Sequence, residues 1–211
     1  MVLENARREY SYARLVGESV SENPFDQFRL WMDQAIESDI SDPTAMCVAT
    51  AGENGRPWQR MVLLKSFDEC GFVFYTNLAS RKARDIAANR GVSLHFPWLK
   101  LDRQVIIGGH AEKLSRTEVL RYFLKRPKES QLAAWASRQS NRINTRQALE
   151  TQFIQMREKF SKGEVPVPSF WGGYRVVPEE FEFWQGGENR LHDRFQFLLQ
   201  ENEWISSRLA P

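Results

Sequence analysis

Three short strand-like segments follow one another between residues 45 and 77, and this pattern constrains the fold more than any other feature of the sequence. They read AMCVATA, PWQRMVLLKSF and FVFYTN, and the turns between them, GENG and DECG, contain glycine. Short apolar runs bounded by such turns are typical of β-strands in hairpins. Because a parallel crossover needs a dozen or more residues, connections this short join antiparallel neighbours. The sequence therefore predicts an antiparallel sheet.

Further strand-like segments extend this sheet. VSLHFPW and RQVIIGGHAEKL, separated by a tight turn, make a meander of at least five strands. Near the C-terminus, WGGYRVV, FEFWQG, LHDRFQFLL and EWISSRL are predicted to return to the sheet as four short strands. A sheet of this length can close into a barrel.

Helices are expected between and beside the strands. Candidate N-terminal residues precede four of them: Asn23, Ser80, Ser115 and Ser130. Pro24 suits the first position of a helix over about 24–38, and Glu118 completes a capping box for a helix that Pro127 must end. A further helix is expected around 149–160. The predicted class is α+β, an antiparallel barrel with helices packed outside, in which 1–22 form a polar arm and 23–211 a single domain.

Composition excludes several classes of protein. The 29 basic and 27 acidic residues leave a net charge of +2, too balanced for a protein that coats nucleic acid or an anionic membrane. Two distant cysteines and three scattered histidines indicate neither a disulfide framework nor a metal site. No signal peptide or apolar run of membrane-spanning length is recognisable, so we expect a soluble, cytoplasmic protein. Motifs for a dinucleotide fold, a P-loop and an esterase elbow are absent.

Local clusters of cationic residues are more informative than the net charge. Arg81 and Lys82 begin a predicted helix, where free backbone amides already favour an anion. A second cluster lies in YFLKRPKES, where Tyr122 and Arg126 share a helical face and Ser130 is predicted to open the next helix. Each cluster has an alternative interpretation as an exposed basic turn. Together they predict two phosphate sites, one for a cofactor and one for a substrate.

A third group lies near the C-terminus. In WQGGENRLHDRF, Arg190, His192 and Arg194 alternate at the period of a strand and are predicted to project from one face. Two guanidinium groups and an imidazole on one face repel each other unless an anion or a carboxylate lies between them. This arrangement favours a bound phosphate or an electron-rich ring.

Five separated motifs, in order along nearly the whole chain, resemble the pyridoxine/pyridoxamine 5′-phosphate oxidase family. They are RMVLLK, FYTNLASRKARDI, RQVIIGGHAEKLS, YFLKRPKESQLAAWASRQS and WGGYRVVPEEFEFWQGGENRLHDR. The resemblance implies a split β-barrel and a homodimer with FMN at the subunit interface. It also implies oxidation of pyridoxamine 5′-phosphate and pyridoxine 5′-phosphate to pyridoxal 5′-phosphate, with O₂ reduced to hydrogen peroxide, and neither a nucleic acid nor a membrane as partner.

The same resemblance implies roles for individual residues. The implied FMN contacts are Arg60, Met61, Val62, Leu63, Leu64, Lys65, Tyr75, Thr76, Arg81, Lys82, Gln104, Gln139, Ser140, Trp184 and Arg194. The implied substrate contacts are Arg7, Arg8, Glu9, Tyr10, Lys65, Tyr122, Arg126, Ser130, Arg190, Leu191 and His192. Within these sets, Arg190 and His192 are the expected catalytic residues beside the substrate ring. Residues 7–10 are expected to fold over the bound substrate as a lid.

Two other functions stay open on the sequence alone. One is an FMN-dependent reductase, or another flavin protein of this fold, acting on a different substrate; such a protein should lack the YFxxRPxxS phosphate clamp. The other is a module without redox activity that stores pyridoxal phosphate or binds RNA. The near-neutral charge argues against RNA.

Overall fold

The computed structural model describes residues 9–10, 13–15, 17 and 20–211. In this part of the chain there are five α-helices: α1 (Pro24–Glu37), α2 (Arg81–Ala88), α3 (Arg116–Lys125), α4 (Lys128–Ala136) and α5 (Arg146–Lys159). The nine strands are β1 (Ala45–Ala51), β2 (Pro57–Leu63), β3 (Ser66–Asp68), β4 (Gly71–Asn77), β5 (Gly91–Trp98), β6 (Arg103–Lys113), β7 (Trp171–Gln185), β8 (Asp193–Gln200) and β9 (Glu203–Leu209). None of the described helices combines the length and apolarity that crossing a membrane requires.

All nine strands form one antiparallel sheet that divides at its longest member. The order is β2-β1-β5-β6-β7-β4-β3, and β8 also pairs with β7 and carries β9. One edge of β7 pairs with β6 along most of its length. Its other edge pairs with β4 over residues 171–176 and with β8 over residues 180–185. The divided sheet curls into a half-barrel, which confirms the predicted split-barrel class.

The segment 57–67 forms two strands, so the prediction of one strand was wrong. The chain leaves β2 at Leu64, whose amide donates to Thr44 O at 2.9 Å, and the amide of Lys65 donates to Val73 O at 2.9 Å. The short strand β3 then pairs with β4. Because of this break, β4 lies beside β7 instead of continuing the meander. Arg60 and Lys65 lie on opposite sides of the break, so strand alternation does not fix their relative directions.

In the C-terminal region, two segments predicted as separate strands form one strand, so that prediction was also wrong. The segments WGGYRVV and FEFWQG belong to the single strand β7, which continues through Pro178 with a register shift opposite Gly108 and Gly109. A Cβ atom at Gly109 would lie 2.1 Å from Val177 O, so only glycine allows the two backbones to approach this closely. The bulge lies between the half of β7 that pairs with β4 and the half that pairs with β8.

Helix α1 packs its apolar side against the buried face of the sheet. Asn23 caps it through a hydrogen bond from Phe25 N to Asn23 Oδ1 at 2.8 Å, as predicted. The fully buried Phe28 ring lies 4.9 Å from the Phe72 ring and 5.0 Å from the Phe96 ring, measured between centroids. Edge-to-face aromatic contacts of this kind stabilise a core beyond simple area burial. The sheet that carries the functional residues is therefore rigidly supported.

The three other predicted helix starts have different outcomes. The Ser115 and Glu118 capping box is present at α3. Helix α4 begins at Lys128, directly after Pro127, so the prediction that Ser130 opens it was wrong. Ser130 lies in the first turn of α4. Ser80 occupies the N-cap position of α2, but its hydroxyl makes no capping hydrogen bond.

Candidate functional site

A cavity of about 490 Å³ opens where β2 and β4 meet α2, α3 and α4. It collects most of the residues predicted to bind the two phosphates. Its lining residues are Met61, Val62, Leu63, Lys65, Tyr75, Thr76, Asn77, Lys82, Tyr122, Lys125, Arg126, Pro127, Ser130, Gln139 and Trp171. No acidic side chain is among them. The two clusters that the sequence separates by some 40 residues therefore share one cavity.

Lys82 forms the first cationic end of this cavity. Its side chain is buried, and Nζ contacts Thr76 Oγ1 at 3.0 Å and Gln139 Oε1 at 3.4 Å. Burial, together with the nearby Arg60 charge, lowers the pKa of Lys82 to about 8. Among the residues that the structure describes, no carboxylate forms an ion pair with this ammonium. A buried cation held only by neutral groups favours an anionic ligand.

Two guanidinium groups flank the N-terminus of α2 beside Lys82. Arg60 Nη1 donates to Thr50 Oγ1 at 2.7 Å, and Asp85 Oδ2 lies 3.7 Å from Arg60 Nη2 and 3.9 Å from Arg81 Nε. The guanidinium of Arg81 also lies 3.7 Å from the ring centre of Trp58. One carboxylate thus orients two cations without neutralising both. The i, i+4 spacing of Arg81 and Asp85 on α2 is a local signal that the sequence analysis missed, whereas the contacts of Asp85 with Arg60 and of Trp58 with Arg81 are tertiary.

Tyr122 and Arg126 form the second cationic end. The guanidinium of Arg126 lies 4.2 Å from the ring centre of Trp171, and burial lowers the pKa of Arg126. The Tyr122 ring stacks on Tyr75, with centroids 3.8 Å apart and planes inclined by 9°. Burial raises the pKa of Tyr122, so its phenol keeps its proton and can donate to an anion.

Two buried nitrogen atoms at this end have no hydrogen-bond partner in the described part of the chain. They are Arg126 Nη1 and Trp171 Nε1. A buried donor without an acceptor costs about 1–3 kcal/mol, so such atoms mark a place where an acceptor belongs. Lys65 and Ser130 line the same cavity. Together, these groups suit a phosphate.

A second group of predicted site residues lies elsewhere, at the end of β7. Trp184 and Gln104 face each other across β7 and β6, and both line a cavity of about 370 Å³ with Tyr10. His95 Nε2 lies 3.0 Å from Gln104 Oε1. The Tyr10 ring packs edge-on against Trp184, with centroids 5.7 Å apart. The arm residue Tyr10 therefore contacts this second group.

Arg190 and His192 adjoin the same tyrosine. The Arg190 guanidinium lies 5.7 Å from the Tyr10 ring centre, and the His192 ring lies 5.3 Å from it. The amide of Gly187 donates to His192 Nδ1 at 3.1 Å, which leaves Nε2 to carry the proton. Burial, and secondarily the charge of Arg190, lowers the pKa of His192. The imidazole is therefore neutral at pH 7.

The predicted strand alternation of Arg190, His192 and Arg194 was wrong. Arg190 lies in a short 3₁₀ turn and has a φ of 66°, and β8 begins only at Asp193. Arg194 is on β8, where it forms a two-pronged ion pair with Glu182 at 3.0 Å for each contact. That carboxylate resolves the repulsion which the sequence pattern implied. Leu191 is exposed in the same turn.

The two groups of residues occupy different places in a single chain. Trp171 lines the larger cavity and Trp184 the smaller one, and they lie thirteen residues apart on β7, up to about 43 Å at the usual rise of a strand. No described residue lines both cavities. Gln139 and Ser140 belong with the first group, since Gln139 contacts Lys82 and Ser140 Oγ accepts from Arg81 N at 3.2 Å.

Some predicted residues stand apart from both cavities. Leu64 is buried in the core and lines neither of them. Glu9 is exposed. Arg7 and Arg8 lie outside the described residues, so their predicted substrate contacts stay predictions.

Comparison with known proteins agrees with this geometry. Residues 32–160 match the family model described as pyridoxamine 5′-phosphate oxidase, and residues 171–211 match that of the pyridoxine 5′-phosphate oxidase C-terminal dimerisation region. The pyridoxine/pyridoxamine 5′-phosphate oxidase of Shewanella putrefaciens is 59% identical over 209 residues, which cover 99% of each chain. The protein of that name from Shewanella baltica strain OS155 is 58% identical over the same share.

Solved structures show the same fold. PhzG from Burkholderia lata 383, in complex with tetrahydrophenazine-1-carboxylic acid, has a TM-score of 0.88 at 28% identity, covering 93% of this chain and 98% of its own. A pyridoxamine 5′-phosphate oxidase-related, FMN-binding protein from Nostoc punctiforme has a TM-score of 0.72 at 17% identity, covering 90% and 100%. With both family models and near-complete relatives in agreement, the chain belongs to the pyridoxamine 5′-phosphate oxidase family.

Proposed function

We propose that this protein is an FMN-dependent oxidase that converts pyridoxamine 5′-phosphate and pyridoxine 5′-phosphate to pyridoxal 5′-phosphate. The single observation that carries the proposal is the larger cavity. It brings Lys82 and Arg126 together, both without a carboxylate partner in the described part of the chain. Two anchors of this kind suit two phosphorylated ligands bound side by side.

The residues around α2 fit the phosphate of FMN. Lys82, Arg60 and Arg81 supply positive charge, and the first backbone amides of α2 supply hydrogen-bond donors. Thr76 and Gln139 hold the Lys82 ammonium, so it is already oriented before a ligand binds. A dianion here would also raise the pKa of Lys82 from its lowered value.

The opposite end of the cavity fits the substrate phosphate. Arg126 and Lys65 provide charge, while Tyr122 and Ser130 provide hydroxyl donors. The unpartnered Arg126 Nη1 supports this assignment, since a phosphate oxygen is a strong acceptor. Each charge-assisted bond contributes about 1.5–3 kcal/mol in such a site. The anchored phosphate would fix one end of the pyridine ring.

We further propose that two subunits complete one active site. Trp184 lies far along β7 from the phosphate cavity of the same chain, and Arg190 and His192 follow β7, yet the roles predicted for these residues place them beside the substrate ring. A homodimer that juxtaposes the two cavities resolves this separation. The match of residues 171–211 to a dimerisation region supports it. Tyr10, with the rest of the arm, would cover the substrate from the side of Arg190.

In this arrangement the protein itself mainly positions the reactants. Bound FMN would supply the redox chemistry, taking two electrons from the substrate's C4′ carbon and passing them to O₂. The phosphate anchors hold that carbon at a fixed distance, which lowers the entropic part of the barrier. Arg190 orients the C4′ substituent, and His192, neutral with its proton on Nε2, contacts it from the side. Tyr10 and Trp184 exclude water from this region.

A flavin protein of the same fold acting on another substrate is the alternative. The PhzG structure is a complex with tetrahydrophenazine-1-carboxylic acid, and PhzG is only 28% identical to this chain. The 59% identity to the Shewanella oxidase and the intact Tyr122, Arg126 and Ser130 anchor favour a phosphorylated substrate.

An anaerobic experiment tests the proposed function. The purified protein, carrying FMN, is mixed with pyridoxamine 5′-phosphate without oxygen, and air is then admitted. We expect the flavin absorbance to bleach and then to return, with pyridoxal 5′-phosphate and hydrogen peroxide formed. Absence of bleaching, with flavin bound, would refute the oxidase function. Bleaching by unphosphorylated pyridoxamine to an equal extent would refute the phosphate anchor.

A further inference from the structure

The phosphate-binding guanidinium of the larger cavity lies on a tryptophan face. Arg126 is centred 4.2 Å from the Trp171 ring, whereas the Phe123 ring is more distant at 5.7 Å. Arg126 itself is at the C-cap of α3, and its φ of −72° and ψ of 147° take the chain out of the helix. The arginine is thus at the point where α3 turns toward α4. Its long side chain needs a separate support to keep one direction.

An indole face can supply that support without using hydrogen-bond donors. A carboxylate partner would occupy the N–H groups of Arg126 and compete with a phosphate. A cation–π contact restrains the plane of the guanidinium and leaves its edge available. No acidic partner of Arg126 occurs among the residues that the structure describes, and burial lowers its pKa, so the side chain is partly desolvated. Both conditions strengthen the contact with the ring.

Trp171 is itself fixed in place. It is the first residue of β7, paired with Asn77 of β4, and its amide donates to Pro168 O at 3.0 Å. Its ring also packs edge-on against the buried Phe123, with centroids 5.9 Å apart. The tryptophan therefore connects the sheet to α3 directly under Arg126.

We infer that Trp171 is a positioning residue for the substrate phosphate, acting through Arg126. This inference rests on the proposed function and deepens it, since it assigns to a residue outside the predicted binding set the selection of phosphorylated over unphosphorylated substrates. Trp171 lines the cavity and its Nε1 has no partner among the described residues, but it is the ring face beneath the Arg126 guanidinium that carries this role. Trp58 lies under Arg81 in the same way at the cofactor end, which provides a matched comparison.

The test compares Trp171→Leu and Trp171→Phe with the parent enzyme. The readouts are kcat/KM for pyridoxamine 5′-phosphate, kcat/KM for unphosphorylated pyridoxamine, and the equilibrium dissociation constant of pyridoxal 5′-phosphate. We expect Trp171→Leu to lose about five- to thirtyfold in kcat/KM for the phosphorylated substrate, the range of a desolvated cation–π contact, mainly through KM. The product should bind more weakly by a similar factor. The kcat/KM of Trp171→Leu for unphosphorylated pyridoxamine should stay within about twofold of the parent value. Trp171→Phe keeps an aromatic face, so its kcat/KM for pyridoxamine 5′-phosphate should lie much closer to that of the parent than to that of Trp171→Leu.

A double-mutant cycle separates this role from a general structural one. If Trp171 acts through Arg126, Trp171→Leu should have little further effect in an Arg126→Ala background. Equal losses for both substrates, or full additivity in the cycle, would overturn the inference. Should Trp171→Leu fail to fold, the same comparison is made with Trp171→Met, which also lacks an aromatic face, and an unchanged ratio between the two substrates with an unchanged product affinity would overturn the inference. Trp58→Leu should instead weaken FMN retention and leave the ratio unchanged. A parent enzyme that does not oxidise pyridoxamine 5′-phosphate at all would refute the proposed function.

Discussion

Replacing Lys82 with methionine should stabilise the FMN-free protein while weakening its hold on FMN. The ammonium is buried against neutral partners, and its pKa is lowered from 10.5 to about 8, first by burial and then by Arg60. At 1.36 kcal/mol per pKa unit, this difference corresponds to roughly 3 kcal/mol of destabilisation by the charged form. Loss of the contacts to Thr76 and Gln139 offsets part of the gain. We expect a net gain of about 1–2 kcal/mol in the free energy of unfolding at pH 7.

The lowered pKa of Lys82 determines how the stability difference between Lys82→Met and the parent changes with pH. A lysine whose pKa is lowered in the folded state penalises folding wherever the unfolded chain holds the proton more tightly. The penalty is complete below about pH 8 and disappears as the pH rises toward 10.5. The stability difference between Lys82→Met and the parent should therefore be largest at pH 7 and shrink between pH 8 and 10.5. FMN affinity should fall about 10- to 150-fold, the value of one charge-assisted hydrogen bond.

The assay is urea unfolding of FMN-free protein, followed by tryptophan fluorescence at one protein concentration, because a dimer's stability depends on concentration. FMN affinity is titrated separately by quenching of flavin fluorescence. Lys162→Met, which changes an exposed lysine, is the control and should alter neither quantity by more than about 0.5 kcal/mol. The reasoning is refuted if Lys82→Met destabilises the FMN-free protein equally at pH 7 and pH 10, or binds FMN as tightly as the parent.

Three further predictions concern the substrate side. Tyr122→Phe removes a donor but keeps the ring that stacks on Tyr75, so KM for pyridoxamine 5′-phosphate should rise about tenfold with an unchanged melting temperature; an unchanged KM would exclude the phenol as an anchor. Because burial and Arg190 lower the pKa of His192, the acid limb of the pH profile of kcat/KM should have its midpoint below 6.5. In Arg190→Met that midpoint should move upward, and a fixed midpoint would contradict the effect of the Arg190 charge on the pKa of His192. Turnover of this variant should fall far more than its retention of FMN. In Gly187→Ala the new Cβ would lie 2.2 Å from Leu191 O, so the turn must shift and turnover should drop with FMN still bound; full activity would refute the role of this turn.

Much of the sheet could be predicted because its signals are local. Turn residues and strand-length apolar runs identified most strands, and Asn23 and the Ser115 capping box located two helix starts. The break at Leu64 could not be predicted, since PWQRMVLLKSF contains no glycine or proline at that point and the break depends on hydrogen bonds to Thr44 and Val73. The joining of two segments into β7 has the same cause, because it depends on how β7 pairs with Gly108 and Gly109 of β6 across the register shift.

The site was predictable in part for a similar reason. Arg81, Lys82, Tyr122 and Arg126 belong to compact motifs, and the structure brings both motifs into one cavity. Strand periodicity failed for Arg190, because a positive φ turns the chain there. For Arg194, the pattern could not show that Glu182 is its carboxylate partner. The contacts Asp85–Arg60, Trp58–Arg81 and Trp171–Arg126 are tertiary, so no local pattern predicts them.

The most direct test of the shared site is complementation between two defective chains. One chain carries Lys82→Met and Arg126→Ala, the other carries Trp184→Ala and Arg190→Met, and each is expected to be nearly inactive alone. Differently tagged copies allow the mixed dimer to be purified by two affinity steps. The account predicts about half of the parent activity per dimer, since one of its two sites then combines two unaltered surfaces. A mixed dimer as inactive as its parents would contradict the account, because it would place each site within a single chain.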